Sequence, residues 1–139
     1  MTSHLIVLGS ANRDYTVIVE RHPLPGETVL GGTMSSGTGG KGANQAAAAA
    51  LAGVTPLFVG AVGADATGDD ILADLGAAGV DVSFVVKSRT APTGAALITV
   101  TPDGENSIVV APGANSTIDP EWAARLVGEL MSRASVVLA

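Results

Sequence analysis

The stretch Gly37-Thr38-Gly39-Gly40-Lys41-Gly42-Ala43-Asn44-Gln45 constrains this chain more than any other. Four glycines in six residues lead directly into the alanines 46–50, Leu51 and Ala52. A glycine-rich loop that opens an alanine-rich helix places bare backbone N–H groups at the positive end of a helix dipole. Such a terminus favours phosphate, carboxylate or polarised hydroxyl groups. Asn44 and Gln45 carry side-chain amides into the first turn, and Lys41 is one of only two lysines in the chain. A tight turn with close helix packing accounts for the glycines and alanines. It leaves Lys41, Asn44 and Gln45 unexplained.

The spacing limits what the loop can hold. Gly37-x-Gly39-x-x-Gly42 has the form of a dinucleotide fingerprint, but that motif directly follows a first strand and has an acidic residue about 20 positions on. Here a hairpin precedes it, and residues 52–57 carry no acid. A phosphate-binding Walker loop is excluded: Gly42 follows Lys41 where Ser or Thr belongs, and Ser35 stands at the position of the first glycine.

The rest of the chain reads as alternating strands and helices. His4 to Leu8 is a continuous apolar run closed by Gly9, the pattern of a parallel strand covered on both faces. Asn12, Arg13 and Asp14 follow at its carboxyl end, where open α/β sheets bind ligands. Tyr15 to Glu20 and Thr28 to Met34 predict a small antiparallel hairpin around a turn with Pro23 and Pro25. A helix is expected over 42–51, ended by Gly53. Leu57 to Val62 is a second core strand. Thr67-x-x-Asp70 matches a capping box and predicts a helix with Ile71, Leu72, Leu75 and Ala78 on one face, started by Thr67 rather than built around a metal at Asp65. Val80 to Val86 is a third strand. Ala95 to Val100 and Ser107 to Ala111 form a second hairpin around Pro102-Asp103-Gly104, where proline presets φ and glycine accepts positive φ. Asp119, Pro120 and Glu121 open a last helix whose apolar face is Trp122, Leu126, Val127, Leu130 and Met131. Ser135 to Ala139 is another buried-strand pattern with nothing after it, so the sequence is expected to be the front part of a longer protein.

The fold class is therefore α/β, a Rossmann-like parallel sheet with helices on both faces plus a small β-sheet lid, in one unit over residues 1–139. The lid hairpins, at about 15–36 and 94–111, are inserted in that core. A net charge of −6 from 13 acidic and 7 basic residues predicts no nucleic-acid or membrane partner. Cysteine is absent, which excludes disulfides and thiolate metal sites. His4 and His22 are isolated, read as surface or edge residues, and no metal site is expected. No signal peptide or apolar run of about 20 residues is present, and a cytoplasmic location follows by default.

Asn12, Asp14, Lys41 and Asn44 converging on one crevice would supply donors and acceptors at fixed positions, which suits a polyhydroxylated ligand such as a sugar. These same residues carry a resemblance to the ribokinase branch of the PfkB carbohydrate kinase family. It runs through Leu8-Gly9-Ser10-Ala11-Asn12-Arg13-Asp14, Pro25-Gly26-Glu27-Thr28, Gly39-Gly40-Lys41-Gly42-Ala43-Asn44-Gln45-Ala46, Val62-Gly63-Ala64-Asp65 with Gly68, Thr93-Gly94-Ala95-Ala96-Leu97-Ile98, Gly104-Glu105-Asn106 and Gly113-Ala114-Asn115. The resemblance implies an ATP-dependent kinase for the 5-hydroxyl of ribose, yielding ribose 5-phosphate. A kinase for another sugar or a nucleoside and an inactive sugar-binding, dimerising fragment are the alternatives. It further implies that Asn12, Asp14, Gly40, Lys41 and Asn44 bind the sugar, that Ala96 and Val110 form an apolar lid over it, and that two lids interlock in a homodimer. ATP and Mg2+ are implied for the full-length enzyme, with a monovalent cation left open and all their sites outside this chain. No Asp-Thr-x-Gly-Ala-Gly-Asp string, the family's catalytic motif, occurs here. These residues alone are therefore expected to be inactive, with no catalytic residue among them. Arg13 stands where the family usually has a small residue, a change expected at the rim of the pocket.

Overall fold

The structure, a computed structural model, describes residues 4–132 and 134–139. In chain order its strands are β1 (His4–Leu8), β2 (Asn12–Ile18), β3 (Met34–Gly39), β4 (Pro56–Gly63), β5 (Asp81–Ser88), β6 (Gly94–Val100), β7 (Asn106–Ala111) and β8 (Ala134–Leu138). The helices are α1 (Lys41–Leu51), α2 (Ala66–Ala77) and α3 (Pro120–Leu130), with a 3-10 turn at Gly113–Thr117. The side chain of His4 lies outside the described residues.

The continuous apolar runs become a parallel sheet in the order β5-β4-β1-β8. Side chains alternate between its faces. Val7, Phe58 and Val62 point to one side and pack with Ala43 and Ala46 of α1 and Ile71 and Leu75 of α2. Ile6, Leu57 and Val59 point to the other and meet Trp122, Leu126, Val127 and Leu130 of α3. Helices thus cover both faces of the central strands β1 and β4, which explains why their apolar runs are uninterrupted by polar residues. Met131 lies just past α3 and is half exposed, so it adds little to that face.

The alanines of α1 serve close approach. A Cβ on Gly42 would lie 2.7 Å from the Gly9 backbone, so helix and strand end touch main chain to main chain. Gly40, with φ of 96°, turns the chain out of β3 into α1. Gly53 and Gly79 have φ of 88° and 93° just after α1 and α2, as helix-ending glycines should.

Three local expectations are corrected. The cap of α2 is Asp65, whose Oδ1 accepts from the Gly68 N–H at 2.8 Å, while Thr67 sits inside the first turn. Asp65 prevails because its carboxylate has further partners: it accepts from the Thr93 hydroxyl at 2.6 Å and the Thr93 N–H at 2.9 Å. Asp119 and Pro120 open α3 as expected, with the carboxylate accepting from Glu121 N–H at 3.0 Å. The second correction concerns β2 and β3. The former starts at Asn12, and the latter is Met34–Gly39 instead of Thr28–Met34. This Ser/Gly-rich edge strand buries little and is held through its backbone ladder, so its side chains do not advertise it. The third correction concerns β8: read as a buried strand, it is an exposed edge of the parallel sheet, with Val136 55% exposed. The two lid hairpins meet in one sheet. β2 pairs parallel to β6, joining both into one mixed sheet of order β3-β2-β6-β7.

Candidate functional site

Registers in the mixed sheet build one wall of a cavity. Asp14 lies beside Ala96, Ala96 opposite Val110, and Ile98 opposite Ile108. The period of two sends Asn12 and Asp14 to the same face. The turn into α1 supplies the facing wall. The resulting cavity, of about 420 Å³, is lined by Asn12, Asp14, Gly40, Lys41, Asn44, Ala96 and Val110, with Ser10, Ile98, Ile108, Pro112 and Asn115. All seven residues singled out from the sequence therefore come together. Alternation alone could have found Ile98 and Ile108, two positions from Ala96 and Val110. Ser10 and Asn115 stand in segments that carry the family resemblance, without a pocket role having been read for them.

The cavity has two kinds of surface. Its floor is polar and fixed. Asn115 accepts from the Ala11 N–H at 2.9 Å, and its amide donates to Ala11 O at 3.1 Å, Asn12 Oδ1 at 2.9 Å and Pro112 O at 2.9 Å. That network sets the Asn12 amide so that its nitrogen remains to donate. Asp14 Oδ1 is buried and has no hydrogen-bond partner among the described residues. Burial accordingly raises the Asp14 carboxyl above its usual range. Its side chain lies over Gly39, where any Cβ would collide with it. Lys41 and Asn44 are exposed at the rim. The roof is apolar and open, with Ile108 and Val110 about half exposed (49% and 53%). A neighbouring cavity of about 480 Å³ between β1, β8 and α3 shares Ser10 and Asn115 but is otherwise lined by apolar residues and glycine, and offers no comparable donor set.

Arg13 does not reach the rim. It points to the opposite face of β2, where its guanidinium lies 3.8 Å from Asp70 and 3.7 Å from Asp74 of α2. The expectation of an altered rim assumed a loop; in a strand, the residue between two pocket residues must face away.

The glycine loop is not an open phosphate cradle. The Ala43 N–H donates to Ser10 O at 3.0 Å and the Asn44 N–H to Gly40 O at 2.9 Å, while Gly42 is packed on Gly9. No group of three or more His, Asp or Glu able to hold a metal occurs among the described residues. No helix among them is long and apolar enough to cross a membrane.

Fold and site together define an α/β protein with a β sheet standing over a cavity that is polar below and apolar above. The profile of the pfkB family carbohydrate kinases matches residues 2–139, and the chain belongs to that family. It is similar to the ribokinase of Staphylococcus aureus strain COL, 43% identical over 122 residues that make up 87% of this chain and 40% of that protein. The ribokinase of Arabidopsis thaliana is 41% identical over 136 residues, covering 96% of this chain and 36% of that protein. The solved structure of Arabidopsis thaliana ribokinase complexed with ribose and ATP matches with a TM-score of 0.79 at 38% identity, over 99% of this chain and 45% of that one. This chain thus spans about two fifths of the length of these curated relatives.

Proposed function

We propose that these residues form the sugar-binding and lid part of an ATP-dependent kinase that phosphorylates the 5-hydroxyl of ribose to ribose 5-phosphate. One observation carries this reading: a buried, unpartnered carboxylate oxygen of Asp14 on the floor of a cavity with an apolar roof. A buried acceptor is costly unless a ligand satisfies it. A sugar does so with its hydroxyls while presenting C–H surface to Ala96, Ile98, Ile108 and Val110. In this scheme Asp14 accepts from two sugar hydroxyls and the Asn12 amide donates to one. Lys41 and Asn44 add donors from the rim, and Gly40 lets the ligand approach the backbone. The mixed sheet acts as a lid whose closure excludes water. ATP with Mg2+ supplies the phosphoryl group when bound. Phosphoryl transfer needs charge stabilisation around the phosphate. We assign that machinery to residues outside these 139, and these 139 alone are inactive in our scheme. The outward face of the lid exposes Met34, Leu97 and Val109, apolar residues suited to the lid of a second copy in a homodimer, and we place the protein in the cytoplasm.

Calorimetric titration with ribose tests the site. The wild-type chain should bind, and Asp14→Ala should lose binding while melting at the same temperature or higher, because removing an unpaired buried acceptor costs the fold nothing. Wild-type affinity in Asp14→Ala would refute the assignment. Thermal stabilisation by another sugar or a nucleoside, with none by ribose, would move the substrate to that compound. ATP-dependent ribose phosphorylation by these 139 residues would overturn the inactivity. Sedimentation showing a monomer at micromolar concentration would overturn the dimer.

A further inference from the structure

Between the two floor residues stands a charge cluster on the far side of the strand. Arg13 is largely enclosed, with 14% of its side chain exposed, and faces Asp70 and Asp74, which sit one turn apart on α2. Thr38, the residue of β3 directly opposite Arg13, donates its hydroxyl to the same Asp74 oxygen at 2.5 Å. Both strands at the root of the lid sheet are thus tied to one face of one body helix. The tie lies at the only residue separating Asn12 from Asp14. Any rotation of β2 about its axis moves both floor residues together, because they share the face opposite Arg13.

We propose that Arg13 is a positioning residue: its attraction to Asp70 and Asp74 fixes the twist of β2 against α2 and so holds Asn12 and Asp14 at the angle that ligand hydroxyls require. The proposal rests on the sugar-binding role of that cavity. Arg13 touches no ligand; it acts through the strand. The guanidinium-to-carboxylate distances are those of ion pairs rather than hydrogen bonds, so the tie is electrostatic and weakens with salt. A longer reach or a different fork is not essential to it, and a lysine can replace the arginine in part.

The test compares Arg13→Ala, Arg13→Lys, Asp70→Asn/Asp74→Asn and the triple variant, each titrated with ribose by calorimetry at low and high salt. Arg13→Ala should weaken ribose binding about fivefold, the upper range for one ion pair. The double carboxylate variant should match it, the triple variant should be no worse than either, and Arg13→Lys should recover most of the affinity. High salt should narrow the gap between wild type and Arg13→Ala. Equal ribose affinity in wild type and Arg13→Ala overturns the proposal, as does simple additivity in the triple variant, since residues acting through one contact do not add. A second readout needs no ligand. Backbone hydrogen exchange in free protein should quicken at β2 and β3 in Arg13→Ala and stay unchanged at β1 and β4. If wild type binds no ribose, the sugar assignment fails by itself, while unchanged exchange at β2 and β3 independently removes the tie.

Discussion

Replacing Gly42 by alanine should unseat α1 from the strand it rests on. The added Cβ would lie 2.7 Å from both Cα and C of Gly9 and 3.0 Å from the Phe58 ring. Carbon atoms in ordinary contact sit about 3.5–4.0 Å apart, so the helix start must retreat by roughly 1 Å. Two of the three obstacles are backbone and cannot rotate away. Overpacking of this kind costs about 1–3 kcal/mol, and rigid neighbours put it at the upper end. Alanine returns at most about 1 kcal/mol through helix propensity, less in a first turn. The net is a loss of about 2 kcal/mol. At about 4 °C per kcal/mol for a domain of this size, the melting midpoint should fall by roughly 8 °C. Gly9→Ala makes the same collision from the other side, at 2.8 Å from Gly42 Cα, without the helix compensation, and should lose more. Gly37→Ala is the control. It has φ in the ordinary range and nothing within 4 Å of the new Cβ, so it should shift the midpoint by less than about 2 °C. The assay is thermal unfolding by circular dichroism, paired with ribose titration. If Gly42→Ala melts with wild type and loses only ligand binding, the glycine serves ligand approach and the packing argument is wrong.

The pH dependence of binding should follow Asp14. Its carboxyl is raised by burial, and sugar hydroxyls favour the charged form, so ribose affinity should be flat near neutrality and fall as pH drops through that raised value. Asp14→Asn should bind weakly at all pH values; a wild-type affinity that stays constant into the acid range would remove Asp14 from the site. Asp65 behaves oppositely. The Thr93 hydroxyl and N–H, and then Gly68, hold its carboxyl below the usual range, so its stabilisation is present above the ordinary carboxylate value and is lost as pH falls through the lowered one. Asp65→Ala should cost about 2–4 kcal/mol through the lost cap and the charge-assisted bonds to Thr93, read as a lower urea midpoint that responds less to acid in that window. Asn115→Ala removes four hydrogen bonds at the floor and should both lower the melting midpoint and weaken ribose binding, whereas an effect on melting alone would separate Asn115 from the site.

What the sequence disclosed depended on where each element's energy lies. The strands at 4–8 and 56–63 are buried on both faces, so their side chains must be apolar and their runs are visible. The same holds for α3, whose cap and stripe are local signals. β3 was invisible because its energy lies in a backbone ladder to β2, and backbone groups are identical in every residue. The cap of α2 misled for a different reason. Thr67-x-x-Asp70 and Asp65-x-x-Gly68 both offer a side chain three residues before an N–H. The choice was made by Thr93, which is 28 residues away and silent in the local pattern.

The candidate site shows the same division at finer grain. Asn12, Asp14, Lys41 and Asn44 were legible because each lies in a short polar segment, whereas Gly40, Ala96 and Val110 came only through the family resemblance. The scaffolding was not: Asn115 reaches Ala11 across 104 residues, and only a folded chain reveals that it orients the Asn12 amide. Arg13 is the sharpest case. Standing between two residues assigned to the ligand, where the family usually has a small residue, it is expected at the rim of the pocket. Once β2 is known to begin at Asn12, the period of two reverses that conclusion without any further information. The two neighbours face the cavity and Arg13 must face the body. A single strand boundary, three residues earlier than the side chains suggested, therefore decides whether this arginine competes for the ligand or holds the residues that do.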